Sequence, residues 1–177
     1  MRKEGEELVS RRLVFGLLSA LCLLFTGCST VSPQQSDFNF IFKYGAGAEP
    51  RNVLDTFSRT FTKDMVSEPA ITINLALSPQ ELDKIYQDMQ KIDLPDYPDV
   101  FSVIVPSGSI ATMVTPNLRY YFKVSYDTQA KELSWDDKIR NDDAQATRLR
   151  QFFSSIVTLI ESKEEVKEMP RPTSGYQ

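Results

Sequence analysis

From Phe38 to Tyr44 aromatic and polar positions alternate: Phe38, Phe40, Phe42 and Tyr44 share one side, and Asn39, Ile41 and Lys43 share the other. Period two with aromatic enrichment predicts a strand with one buried face. Gly45-Ala46-Gly47 interrupts it. No third glycine or lysine follows in register, so this Gly-x-Gly reads as a turn rather than a phosphate loop. Val53 to Asp64 reads as a second extended stretch, with Phe57 and Phe61 on one face. Ser67-Glu68-Pro69 is then a turn, and Ile71, Ile73, Leu75 and Leu77 alternate with polar residues along a third strand.

The period then changes. Ser78-Pro79-Gln80-Glu81 is a capping box with proline at the first helical position. Leu82, Ile85, Tyr86, Met89 and Ile92 follow at helical spacing, and the helix is expected to stop near Asp93, before Pro95. Leu94 to Asn117 contains prolines at 95, 98, 106 and 116 and an apolar core, Val100 to Val105. It reads as a long loop with a short edge strand, since proline beside a strand suits an edge. Leu118 to Tyr126 alternates again, with Tyr120, Phe122, Val124 and Tyr126 on one face. Asp127 to Lys131 forms a hairpin loop, and Glu132 to Trp135 returns antiparallel. Asp142 or Asp143 caps a second helix whose buried stripe is Leu149, Phe152, Phe153, Ile156, Val157 and Ile160. That helix becomes charged from Glu161 and stops at Pro170.

These elements predict an α+β fold: an antiparallel sheet in the order β-β-β-α-β-β-α, with both helices on one face. The domain spans residues 37–170 and an irregular tail spans 171–177.

The remaining apolar pattern lies at the start. Arg11-Arg12 precede an uncharged apolar run from Leu13 to Phe25, 13 residues long. About 20 residues are needed to cross a bilayer, whereas 7–15 suits a signal-peptide core. Thr26-Gly27-Cys28 supplies small residues at the cleavage point, and Leu24 to Cys28 resembles a lipobox. In that motif the cysteine thiol receives a diacylglyceryl group and becomes residue one. Residues 1–27 are therefore expected to be a lipoprotein signal peptide, Cys28 the lipid attachment site, and residues 28–36 a flexible tether. Two acyl chains make a stable anchor where one is marginal. The acidic opening MRKEGEELVS is unusual ahead of Arg11-Arg12 and suggests that translation starts near Leu8 or Val9.

Charge and chemistry narrow the role. The chain has 20 basic and 24 acidic residues. Residues 1–27 account for Arg2, Lys3, Arg11 and Arg12 against Glu4, Glu6 and Glu7, leaving 16 basic and 21 acidic residues, a net of −5. That balance argues against nucleic acid as a partner and against electrostatic docking on anionic lipid. There is no histidine, and the two cysteines are Cys22, inside the apolar run, and Cys28. Histidine catalysis, thiolate catalysis and imidazole or thiolate metal sites are excluded. Asp93, Asp96 and Asp99, and the pairs Asp136-Asp137 and Asp142-Asp143, lack the spacing and glycine of a calcium loop. No cofactor is implied.

The segments FNFIFKYG, LDTF, TKDM, LSPQELDKIYQDMQKIDLPDYP, RYYFKVSYD, KELSWDD and PTSGY resemble a family of uncharacterised small cell-envelope lipoproteins from Bacillus and related Gram-positive bacteria. The likeness runs over about residues 38–177. It implies a lipid-anchored location on the extracytoplasmic face of the cell membrane, and it carries over no activity or catalytic residue. The expected role is a non-enzymatic binding or accessory module for an envelope protein or wall polymer. The Leu94–Asn117 loop, Tyr97 and Tyr121 are its candidate contact surface. The alternative is a carboxylate-dependent hydrolase acting on envelope material, which needs two carboxylates in one cleft. A third possibility is a clamp that offers a sheet edge to a partner.

Overall fold

The computed structural model describes residues 37–176. The expected signal peptide, the tether and Cys28 lie outside the described residues. No described helix is long and apolar enough to cross a membrane.

The chain forms β1 (Asn39–Ala46), β2 (Asn52–Asp55), β3 (Thr60–Met65), β4 (Glu68–Asn74), α1 (Pro79–Lys91), a 3-10 turn (Leu94–Asp96), β5 (Val100–Phe101), β6 (Thr112–Tyr126), β7 (Gln129–Arg140), α2 (Ala144–Ser162) and α3 (Glu164–Lys167). All seven strands make one sheet in the order β4-β3-β2-β1-β6-β7-β5. The α+β class holds, but the sheet is mixed. Every pairing is antiparallel except β5 on β7, which is parallel. The chain leaves the β4 edge, runs through α1 and re-enters at the opposite edge. Such a crossover can deliver a strand in the parallel sense, as a hairpin cannot.

One cross-strand row explains the packing. Ile73, Phe61, Leu54, Phe42, Phe122 and Leu133 are register partners in turn across β4, β3, β2, β1, β6 and β7. Five of the six are fully buried. Both long helices reach this face of the sheet. In α1 the Tyr86 ring meets Phe38 at 5.4 Å and Tyr126 at 6.3 Å. In α2 the Phe153 ring stacks on Tyr120 at 4.8 Å and on Phe42 at 5.1 Å, and Phe152 meets Phe122 edge-on at 5.5 Å. Offset and edge geometries of this kind add to the stabilisation from burial alone.

The helix caps stand as read, but the second helix does not run on to Pro170: α2 ends at Ser162, where Lys163 is extended, and α3 is a separate short helix. Ser78 accepts the Glu81 N–H, and Glu81 in turn accepts the Ser78 N–H. Asp143 caps α2 by accepting the Ala146 N–H at 2.7 Å. The Lys163 ammonium joins the two helices, lying 2.6 Å from the Glu81 carboxylate.

Four expectations need correcting. Val53 to Asp64 is not one strand but a hairpin turning at residues 56–59, with Arg59 at φ 56°. Asp55 Oδ1 accepts the N–H groups of Phe57 and Ser58, which closes the turn. Phe57 is consequently exposed rather than paired in the core with Phe61. Glu68-Pro69 is not a turn but the start of β4; the reversal comes one step earlier, with Val66 at φ 62°. The Leu94–Asn117 stretch is not all loop. β5 is only two residues long, and β6 already begins at Thr112. Pro116 is accommodated where the β6–β7 register shifts, between Met113 and Leu118, and no ladder donor is required. Finally, β7 is longer at both ends: the hairpin loop is only Asp127-Thr128, not Asp127 to Lys131, and the strand continues past Trp135 through Asp136-Asp137-Lys138 to Arg140.

Candidate functional site

Two features stand out on the finished fold: a cavity roofed by the C-terminal tail, and a buried ion cluster that braces β7 against α2.

The cavity has a volume of about 370 Å³ and opens where β1 ends, between β3, α2 and the tail. That size suits a small ligand or one residue of a polymer. Its apolar wall includes Phe61, Leu118 and Val166; its polar groups include Tyr44, Asp64 and Glu161. Burial, with the charge of Glu161 added, pushes the Tyr44 phenol well above its ordinary value, so it stays a hydrogen-bond donor.

The tail holds on through side chains spread along its length. Lys63 Nζ donates to the Pro170 carbonyl at 2.9 Å, Thr173 donates to Glu68, and Ser174 bonds Ser67 at 2.8 Å. The Tyr176 hydroxyl donates to Asp64 Oδ2. Asp64 is buried, its Oδ1 accepts the Val66 N–H at 2.9 Å, and Arg51 lies 3.5 Å away. The Tyr176 ring covers Gly47; a β-carbon there would come within 3.2 Å of it. Gly47 sits at φ 97°, a backbone conformation that favours glycine, and the ring would have to give by a few tenths of an ångström to admit a β-carbon. The tail expected to be irregular has no helix or strand, yet it is tied down by specific contacts.

The ion cluster is equally specific. The Asp137 carboxylate is buried and accepts from Arg150 Nε at 3.0 Å and Nη2 at 2.9 Å. Arg140 approaches its second oxygen at 2.5 Å. The Arg150 guanidinium also donates to the Ile139 carbonyl and stacks over Trp135 at 5.3 Å. Burial and the Asp137 charge push the neighbouring Tyr120 phenol up to about 12. Every oxygen of Asp137 is used, so the cluster holds structure.

The other candidate residues separate. Tyr97 is not a contact residue: it is buried, packs its ring at a tilt against Phe101 and donates to the Gln145 carbonyl. Tyr121 is half-buried on the opposite face of the sheet, under Lys43, and donates to Glu132. Asp99 pairs with Lys131, and Asp136 with Arg119 and Asn117. Among the described residues, no group of three or more acidic, cysteine or histidine side chains could hold a metal ion. Sequence reasoning missed Asp64 and Tyr176, which meet across 112 residues. The only signals for them were a Gly-x-Gly turn and an aromatic near the chain end.

No protein-family model, curated protein sequence or solved structure matches this chain.

Proposed function

We propose that the chain is a lipid-anchored, non-enzymatic binding module on the outer face of the cell membrane, and that the tail-roofed cavity is where it engages an envelope protein or wall polymer. The observation that carries this reading is the combination of apolar wall and undischarged polar groups at the mouth of the cavity, beside a tail held by hydrogen bonds. Leu118, 39% exposed, supplies accessible apolar contact area over the buried Phe61 and Val166, and the Tyr44 hydroxyl and Glu161 supply orientation. The anchor rests on the lipobox at Leu24–Cys28 and on the resemblance to envelope lipoproteins.

A hydrolase would draw on Asp64 and Glu161, the two carboxylates lining the cavity. Asp64 is committed to Arg51, the Val66 N–H and Tyr176, which favours its structural use. The binding reading is therefore preferred.

Two measurements test the proposal. Metabolic labelling with an alkynyl fatty acid is expected to mark the protein, and Cys28→Ala to abolish the label and release the chain from membranes. A photo-crosslinking residue at Leu118, activated in intact cells, is expected to trap an envelope protein or a wall polymer. An unlabelled wild-type protein overturns the anchor; a Leu118 probe that yields no adduct overturns the cavity.

A further inference from the structure

The segment from Val100 to Leu118 contains no charged residue over 19 positions, in a chain where a quarter of residues are charged. It is also where the fold leaves its aliphatic side chains uncovered. Val100 is 73% exposed, Ile104 81%, Ile110 95% and Met113 72%. The backbone explains the exposure. β5 peels away after two residues, residues 102–111 form no helix or strand, and Pro106 to Ser109 reverse the chain at Gly108, φ 85°. The first part of β6 then runs out past the main sheet, paired with β7 only at Thr112 and Met113 before the register shift. The result is a protruding ribbon with Ile104 and Val105 before the turn and Ile110 and Met113 after it.

We propose that this ribbon inserts its aliphatic side chains into the surface of a lipid bilayer, giving the domain a membrane contact separate from Cys28. Exposed apolar groups concentrated in one protrusion mark an interaction site. Two features of the ribbon select lipid over protein. Residues 102–118 include no tryptophan, tyrosine or arginine, the residues that dominate protein–protein hot spots. The complete lack of charge is what a bilayer demands, because a single aspartate, lysine or arginine strongly opposes entry while isoleucine and valine favour it.

The test uses the chain from residue 28 onward carrying Cys28→Ser, so that acylation plays no part. The buried core falls entirely between Phe38 and Met169, so this chain retains all of it. Co-sedimentation is measured with vesicles of phosphatidylcholine and of phosphatidylethanolamine–phosphatidylglycerol. Binding is expected to both, with little change from 50 to 500 mM salt. The triple change Ile104→Ser, Ile110→Ser and Met113→Ser is expected to lower the partition coefficient at least tenfold while leaving the circular dichroism unaltered. Ile110→Trp is expected to shift its emission to the blue on adding vesicles. Failure to sediment, equal partition of the triple variant, or concentration-dependent self-association lost in that variant would each overturn the lipid assignment. None of these outcomes depends on whether Cys28 is acylated, so this proposal and the anchor fail separately.

Discussion

Asp137→Ala isolates the cost of the buried ion cluster. The change removes the carboxylate that accepts from Arg150 and pairs ionically with Arg140, and leaves two guanidinium groups facing a vacated site. Breaking a buried pair from one side typically costs 3–5 kcal/mol, because the remaining charge stays desolvated. The Arg150 side chain is 21% exposed and that of Arg140 39%, so each can turn partly toward water. That relief lowers the expected loss to about 2–4 kcal/mol. With roughly 3–4 °C per kcal/mol for a domain of this size, the melting temperature should fall by about 6–16 °C. In urea, with a slope near 2 kcal/mol/M, the midpoint should drop by about 1–2 M. The double variant Asp137→Leu with Arg150→Met should be more stable than Asp137→Leu alone, because it removes the stranded charge as well as its partner. A loss under about 0.5 kcal/mol for Asp137→Ala, or strictly additive effects in the double variant, would refute the account of a desolvated, mutually dependent pair.

Three further outcomes follow from the geometry. Phe42→Ala empties the middle of the six-strand row and removes a stacking partner of Phe153, so it should cost about 3–5 kcal/mol in equilibrium unfolding. Burial alone would raise the Glu81 carboxyl, but the Lys163 ammonium and the Ser78 groups outweigh it and hold the carboxyl below its ordinary value. A folded value below the unfolded one gives stability that is present above the unfolded value, near 4.5, and lost as pH falls through the folded one; Glu81→Gln should flatten that acid limb in a stability–pH series. Gly47→Ala should force the Tyr176 ring away and strain a positive φ, exposing the tail to earlier cleavage in limited proteolysis while β1 remains protected.

How legible the molecule was depends on the range of each contact. β1, the second half of β6, α1 and α2 carry their own evidence, because their buried faces recur at period two or 3.6 and their caps lie within three residues. The β2–β3 hairpin hides because its turn, Thr56 to Arg59, contains neither glycine nor proline. Only Asp55 betrays it, and Phe57 and Phe61 continue the alternation through the bend. The far half of β7 hides for a different reason. Asp136-Asp137-Lys138 carries no alternation of apolar and polar positions, and Asp137 can be buried only because Arg150 arrives from α2. The cavity was least legible, since Asp64, Glu161 and Tyr176 come from three distant parts of the chain and no local pattern connects them.

The place of β1 within the sheet has a mechanical consequence. It is bonded along both sides, to β2 through Ile41–Tyr44 and to β6 through Asn39–Ala46. A pull on the chain ahead of Asn39 therefore runs along the strand axis and loads both ladders in shear. Their bonds must yield together, whereas an edge strand drawn sideways would unzip one bond at a time. A pull on that end thus meets two ladders at once rather than one.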